Sequence, residues 1–408
     1  MTNNTIPGGL LRLRALRRCL WTGALLAGFL VVAASAARPA RAAPSFGVVT
    51  QGYPQDVRDF EFKRMGQGNV GTVRFILLWP LIQPTPGPCG PGPYNPLIGD
   101  EDPEPGPENE CNWTAVDRMV GEAAARGTES LPFAFGSPDW VDSNDDEPNQ
   151  VASRVPPLES DADRTAWQAF LRAAVRRYGP GGAFWAPGGP YESAHLGADP
   201  LPIRHWQIWN EPSTPAYFWP KPSPTRYADL LHLSAEVMRT EDPGATILLA
   251  GLFGTPGGGP GGIFLPRYLK RLYDVPGVEQ DFDAVALHPF APRIAGMKAQ
   301  VKLARQEMKR AGDGTTDIWI TELGWASDGP KEVQAVKTER GQARLLRGAF
   351  HLLGSHRRRW NIIGVNWFSL RDVGKKKSPC YGCPFTGLLE RDGAPKPAWR
   401  AFKHFTTS

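Results

Sequence analysis

Eight short apolar runs punctuate the chain, at residues 46–50, 71–78, 130–135, 203–209, 246–250, 282–287, 318–321 and 362–368. Each is rich in β-branched or aromatic side chains, as strands are. They read as continuous apolar runs, which suits strands of a parallel sheet covered on both faces. Between the runs the period changes. Trp167, Phe170, Leu171, Ala174, Val175 and Tyr178 recur at helical spacing within 161–178, and Ser160 stands where an N-cap belongs. Ser223-Pro224 opens another helix, with Pro in its first turn, that runs to about residue 240. Residues 113–126, 298–311, 338–354 and 397–404 read as further helices. Strand and helix alternating in this way predict α/β architecture, a single (β/α)₈ barrel in one domain.

Four segments fit neither period: 83–110, which is Pro/Gly-rich and acidic, the polar stretch 142–157, and the Gly/Pro-rich stretches 180–202 and 255–262. They are expected as insertions at the C-terminal mouth of the barrel, where binding sites of this architecture lie.

Composition changes the picture mainly at the N-terminus. The 408 residues are 41% apolar, enough for a large core, and carry a net charge of +5. Arg12, Arg14, Arg17 and Arg18 supply much of that charge, so no basic stripe for nucleic acid is left. These arginines precede an uncharged stretch, 19–37, and two small-residue sites, Ala34-Ser35-Ala36 and Ala40-Arg41-Ala42. That order reads as a secretory signal over residues 1–42, which leaves 43–408 as the barrel domain. The expectation is a secreted or periplasmic protein, free of the membrane after cleavage. An uncleaved anchor through 19–37 is the alternative. Outside the signal, four cysteines allow three pairings. Sequence proximity favours Cys89 with Cys111 and Cys380 with Cys383, over a four-Cys zinc site that would need a second close pair.

The candidate chemistry lies at two strand ends. In WQIWNEPS, residues 206–213, an apolar run stops at Asn210, Glu211 follows, and Pro212 breaks the strand. In DIWITELGW, residues 317–325, another run ends in Glu322. These are the fourth and seventh runs, which face each other across a barrel mouth. Two carboxylates so placed can serve as acid/base and nucleophile on a glycosidic bond. No His-x-His or His-Glu-x-x-His spacing occurs, so no metal and no cofactor are expected. Trp79, Trp140, Trp219, Trp325 and Trp367 follow or end strands near the mouth, where their rings could either stack on sugar or pack. Trp113, Trp167 and Trp399 lie on expected helices and read as core.

With these residues the chain resembles the clan A glycoside hydrolases, the retaining (β/α)₈ enzymes that include cellulases, mannanases and β-xylosidases. Asn210-Glu211-Pro212 is similar to the clan's fourth-strand motif, and Ile320-Thr321-Glu322 to its seventh-strand end. The resemblance implies Glu211 as acid/base, Glu322 as nucleophile and Asn210 as partner of the sugar 2-OH. It implies that Arg74 bonds the nucleophile, that His288 of Ala286-Leu287-His288-Pro289 is the sixth-strand His, and that Trp367 is the eighth-strand sugar platform. Residues 387–399 resemble the clan's last loop and final helix. One departure stands out. Many members carry a Tyr after His-Pro, with its hydroxyl on the nucleophile, and here the residue is Phe290. Either another hydroxyl substitutes, or the nucleophile's surroundings differ. The implied activity is retaining hydrolysis of β-O-glycosidic bonds in a β-linked glycan. The rivals are a transglycosidase on the same site, an inactive glycan-binding barrel, and a metal-dependent barrel hydrolase.

Overall fold

A computed structural model describes residues 45–90, 111–141, 154–254, 261–330, 333–374 and 383–407. The expected signal segment, its anchor alternative and Cys380 lie outside the described residues. Nine strand segments occur in the order β1 (Ser45–Val49), β2 (Thr72–Leu78), β3 (Glu129–Phe135), β4 (His205–Ile208), β5 (Thr246–Leu248), β6 (Leu252–Phe253), β7 (Ala284–His288), β8 (Asp317–Leu323) and β9 (Ile362–Phe368). Every strand pairing is parallel. The sheet runs from β1 to β5, closes through β5–β7, and returns by β8 and β9 to β1. β6 pairs with β7 alone and continues the line of β5, so the fifth stave is one strand with a break. The barrel therefore has eight staves, as the sequence pattern predicts, and β7, β8 and β9 are the sixth, seventh and eighth.

Each stave is followed by an outer helix: Asp59–Gln67, Thr114–Ala124, Asp161–Tyr178, Pro224–Glu241, Leu265–Tyr273, Ile294–Arg310, Glu339–Ser355 and Pro397–Thr406. The Ser160 and Ser223 hydroxyls accept from Asp163 N–H and Arg226 N–H, which satisfies one orphan donor at each of those helix starts. Helices Asp59–Gln67 and Leu265–Tyr273 are absent from the sequence expectations. The first buries only Glu61, Phe62 and Met65, too few for a visible stripe, whereas Leu265, Tyr268, Leu269 and Leu272 of the second do carry the helical spacing.

Inside the barrel, Leu131, Leu248, Ala284 and Trp319 fill the lower layer. Gly364 makes room for Trp319, since a Cβ there would lie 2.2 Å from the indole. This floor leaves the C-terminal mouth as the open end. One expectation about that mouth is corrected. Residues 180–202 follow a helix and precede β4, so they lie at the opposite face of the barrel. There they form the turns Ala183–Trp185 and Pro190–Ala194, and His195 packs against Gly121 of helix Thr114–Ala124. Cys89 and Cys111 are disulfide-bonded, with Cα atoms 5.2 Å apart, and tie down the loop after β2. Cys383 is also a disulfide cysteine. Among the described residues no helix is long and apolar enough to cross a membrane.

Candidate active site

Regular alternation would send only one of two successive residues into the mouth. Both acid-bearing strands escape this by a local irregularity. On β4, Gln207 faces the interior and Trp206 and Ile208 face the helices. Then Trp209 (φ 70°) and Glu211 (φ 39°) adopt the left-handed region, which costs a non-glycine residue about 1–3 kcal/mol. The Trp209 ring is thereby carried outward against Trp167 and Phe218, and Asn210 and Glu211 enter the mouth together. On β8, Ile320 pairs with Val365 but Leu323 with Trp367, so three residues of β8 oppose two of β9. This bulge turns both Thr321 and Glu322 inward.

Arg74, fully buried on β2, joins the two acid segments. Its Nε donates to Gln207 Oε1 at 2.6 Å, Nη1 to Glu322 Oε1 at 2.6 Å, and Nη2 to Asn210 Oδ1 at 2.8 Å. The guanidinium lies 4.0 Å from the centre of the Phe133 ring. His288 ends β7 and sits between the carboxylates. Its Nδ1 is 2.7 Å from Glu211 Oε1, and Nε2 is 3.0 Å from Thr321 Oγ1 and 3.7 Å from Glu322 Oε1. The break in the fifth stave makes this possible, because a Cβ on Gly251 would lie 1.9 Å from His288 Nε2. A carboxylate oxygen of Glu211, one of Glu322 and an imidazole nitrogen of His288 all lie within 4.8 Å of one another.

Burial, then the nearby Glu322 charge, push the Glu211 carboxyl well above its ordinary range, against the pull of Arg74. Burial also raises Glu322, but the charge and hydrogen bond of Arg74 oppose it. The pair is thus split, with the proton favoured on Glu211. Burial and the Arg74 charge push His288 well below its usual value, so it is neutral and can donate only once. Donation from Nδ1 to Glu211 leaves Nε2 to accept from the Thr321 hydroxyl. The two glutamates and His288 also have the donor chemistry of a metal site. However, Arg74 already occupies the Glu322 oxygen nearest His288, and a cation there would displace it.

Arg74, Asn210, Glu211, His288 and Glu322, all named from sequence, therefore converge. The tryptophans do not all follow. Asn366 on β9 points inward, bonded to Val48 O and Thr72 Oγ1, so its neighbour Trp367 points outward. Trp367 is fully buried against Phe350 of an outer helix, with its Nε1 donating to Thr386 O. Trp325 is equally covered, with Nε1 donating to Ala291 O. Neither presents a ring face to the mouth. Trp140 is half-buried, donates from Nε1 to Gln83 O at 3.2 Å and lies edge-on to buried Trp79. Two aromatic residues were missed. Phe368, inward by the period of two from Asn366, lies 6.0 Å from Phe290, which in turn lies 6.0 Å from Phe253. Tyr217, in the loop after β4, is exposed. The strand period carried a signal for Phe368, but nothing in the loop sequence did for Tyr217.

Fold and site together define a parallel (β/α)₈ barrel with a paired-carboxylate centre at its mouth. In sequence, no family model and no curated protein matches the chain. Solved structures do match in fold. A family 39 glycoside hydrolase from the gut symbiont Bacteroides cellulosilyticus WH2 superposes with TM-score 0.57 at 19% identity, over 90% of this chain and 64% of that one. A monomeric β-xylosidase from Caulobacter crescentus CB15 gives TM-score 0.57 at 16% identity, over 89% and 69% of the two chains. A GH5_18 protein from Streptomyces cattleya, solved with GlcNAc, gives TM-score 0.57 at 16% identity, over 90% and 80%. This chain thus spans about two thirds of the length of the first two. At such identities the likeness establishes the fold.

Proposed function

We propose that the protein is a retaining glycoside hydrolase that cleaves β-O-glycosidic bonds. The observation that carries this reading is the approach of the Glu211 and Glu322 carboxylate oxygens to within 4.8 Å. Retaining enzymes hold their carboxyl groups about 5–5.5 Å apart, and an oxygen of each acid within 4.8 Å of the other is in keeping with that spacing. Glu322, held by Arg74, attacks the anomeric carbon while Glu211 gives its proton to the leaving oxygen. Glu211, now a carboxylate, takes a proton from the water that releases the sugar from Glu322. Neutral His288 holds Glu211 in place through both half-reactions without competing for charge. Asn210, oriented by Arg74, is available to the sugar 2-OH. The names of the structural neighbours, a β-xylosidase and an exo-β-1,4-mannosidase among them, support a β-linked glycan or glycoside as substrate. The Cys89–Cys111 disulfide supports a location outside the cytosol.

The two acids predict different failures. Glu322→Ala loses turnover on every substrate. Glu211→Ala still forms a glycosyl-enzyme from a dinitrophenyl glycoside, whose leaving group needs no proton. On poor leaving groups it is slowed by about 10²–10⁴-fold. Azide then gives the β-glycosyl azide with Glu211→Ala and the α-anomer with Glu322→Ala. Equal losses on good and poor leaving groups, with no azide product from either variant, would show the assignment to be wrong.

A further inference from the structure

We propose that Tyr217 is a substrate-contacting residue whose phenol hydrogen-bonds a hydroxyl of the sugar held between Glu211 and Glu322. The inference rests on the glycosidase reading and adds a specificity-determining group to it.

The loop after β4 is fastened to the stave that carries Glu211. The Tyr217 carbonyl accepts from Trp209 Nε1 at 2.6 Å, and its N–H donates to Thr214 O at 3.2 Å. Its ring stands edge-on to Phe135, which ends β3, with centroids 6.0 Å apart. The side chain is thus fixed at the rim, yet it keeps 36% of its surface exposed. The phenol is near enough to the catalytic groups to feel their charges: the Glu211 carboxylate, burial and the Glu322 carboxylate all raise it, and Arg74 opposes them. It therefore stays protonated, a neutral donor beside two acids. Among the described residues its hydroxyl has no hydrogen-bond partner, and it bonds neither carboxylate directly. A donor held at the rim, beside the ends of the third and fourth staves and close to the strand end that carries Glu211, is placed for an oxygen of a sugar bound there.

The other side of the mouth makes this hydroxyl count. Phe290 offers only a hydrocarbon ring, in contact with Phe253, His288 and Phe368. The sixth stave supplies no phenol, and Tyr217 supplies one from the fourth.

The test is a cycle between Tyr217→Phe in the full chain and a set of aryl β-glycosides each lacking one sugar hydroxyl. Tyr217→Phe should melt with wild type and lower kcat/KM on the intact glycoside about tenfold, one hydrogen bond at 1.4 kcal/mol per factor of ten. For one deoxy substrate, and only one, the variant and wild type should turn over equally, because the partner is already gone. No loss on the intact glycoside, or the same loss on every deoxy substrate, would overturn the assignment while leaving the glycosidase intact. A wild-type protein that cleaves none of the glycosides would instead overturn the glycosidase reading, and this assignment with it.

Discussion

Arg74 holds three partners with one planar group, and Lys offers a single point charge in its place. Arg74→Lys can keep the contact to Glu322 but not those to Gln207 and Asn210 as well. Each bond to a charged group is worth about 1.5–3 kcal/mol, so kcat/KM should fall by about 10–150-fold for each bond that matters in the transition state. Steady-state kinetics on an aryl glycoside checks this. Glu211 makes a prediction about stability. Its carboxyl is raised in the folded state, so its contribution is present below the ordinary value of 4.5 and is lost as pH rises through the folded value. At neutral pH the fold must either hold this acid protonated where the unfolded chain would ionise it, or bury its charge, and both cost stability. Glu211→Gln should therefore melt higher than wild type at neutral and alkaline pH, with the gap closing as the pH falls below 4.5. Thermal scans across pH measure it. The same raised acid should give activity an alkaline limb, which Glu211→Ala loses on dinitrophenyl glycosides.

At the scale of elements, the site depends on three places where a strand stops being regular. They are the left-handed residues after β4, the bulge in β8, and the break between β5 and β6. The break is the simplest to test. Gly251→Ala places a methyl 1.9 Å from His288 Nε2, with Thr321 and Glu322 behind the imidazole. His288 must rotate or the stave must move, a strain of about 1–3 kcal/mol. The variant should fold with a lowered melting temperature, and its loss of kcat should approach that of His288→Ala. Kinetics of both, beside a near-ultraviolet dichroism spectrum, would show whether the damage stays at the site. Trp367 belongs to this scale too. It packs the eighth stave onto helix Glu339–Ser355, so Trp367→Ala should cost about 3–5 kcal/mol of stability. Chemical denaturation reads this loss directly.

For the molecule as a whole, Cys89 and Cys111 close a loop with a sequence separation of 22 at the mouth. In the chain-entropy model such a link is worth about 3 kcal/mol, exerted on the unfolded chain. Replacing both cysteines with Ser should lower the melting temperature and leave the barrel's far-ultraviolet dichroism unchanged. Closure of the eight staves does not depend on this link, because β1 pairs with both β2 and β9 through the sheet itself.

Local pattern alone determined the eight staves, their order, most of their helices, and the two strand ends that carry Glu211 and Glu322. Apolar period and chain order are properties of neighbouring residues, so they can be read along the chain. The disulfide between Cys89 and Cys111 was legible for the same reason, as the shorter closure. Only the tertiary structure decided which way each side chain near the mouth points. One left-handed residue or one bulge shifts the period by a single position, and that moves a side chain from one face to the other. The bulge in β8 turns Glu322 in, while unbroken alternation from Asn366 on β9 turns Trp367 out. Segment 180–202 was misplaced on composition, which marks a loop without its end, although chain order places it: it follows helix 161–178 and precedes the fourth strand. Tyr217 could not be read at all, since its position depends on a hydrogen bond from the indole of Trp209 that exists only after that residue has left the regular strand.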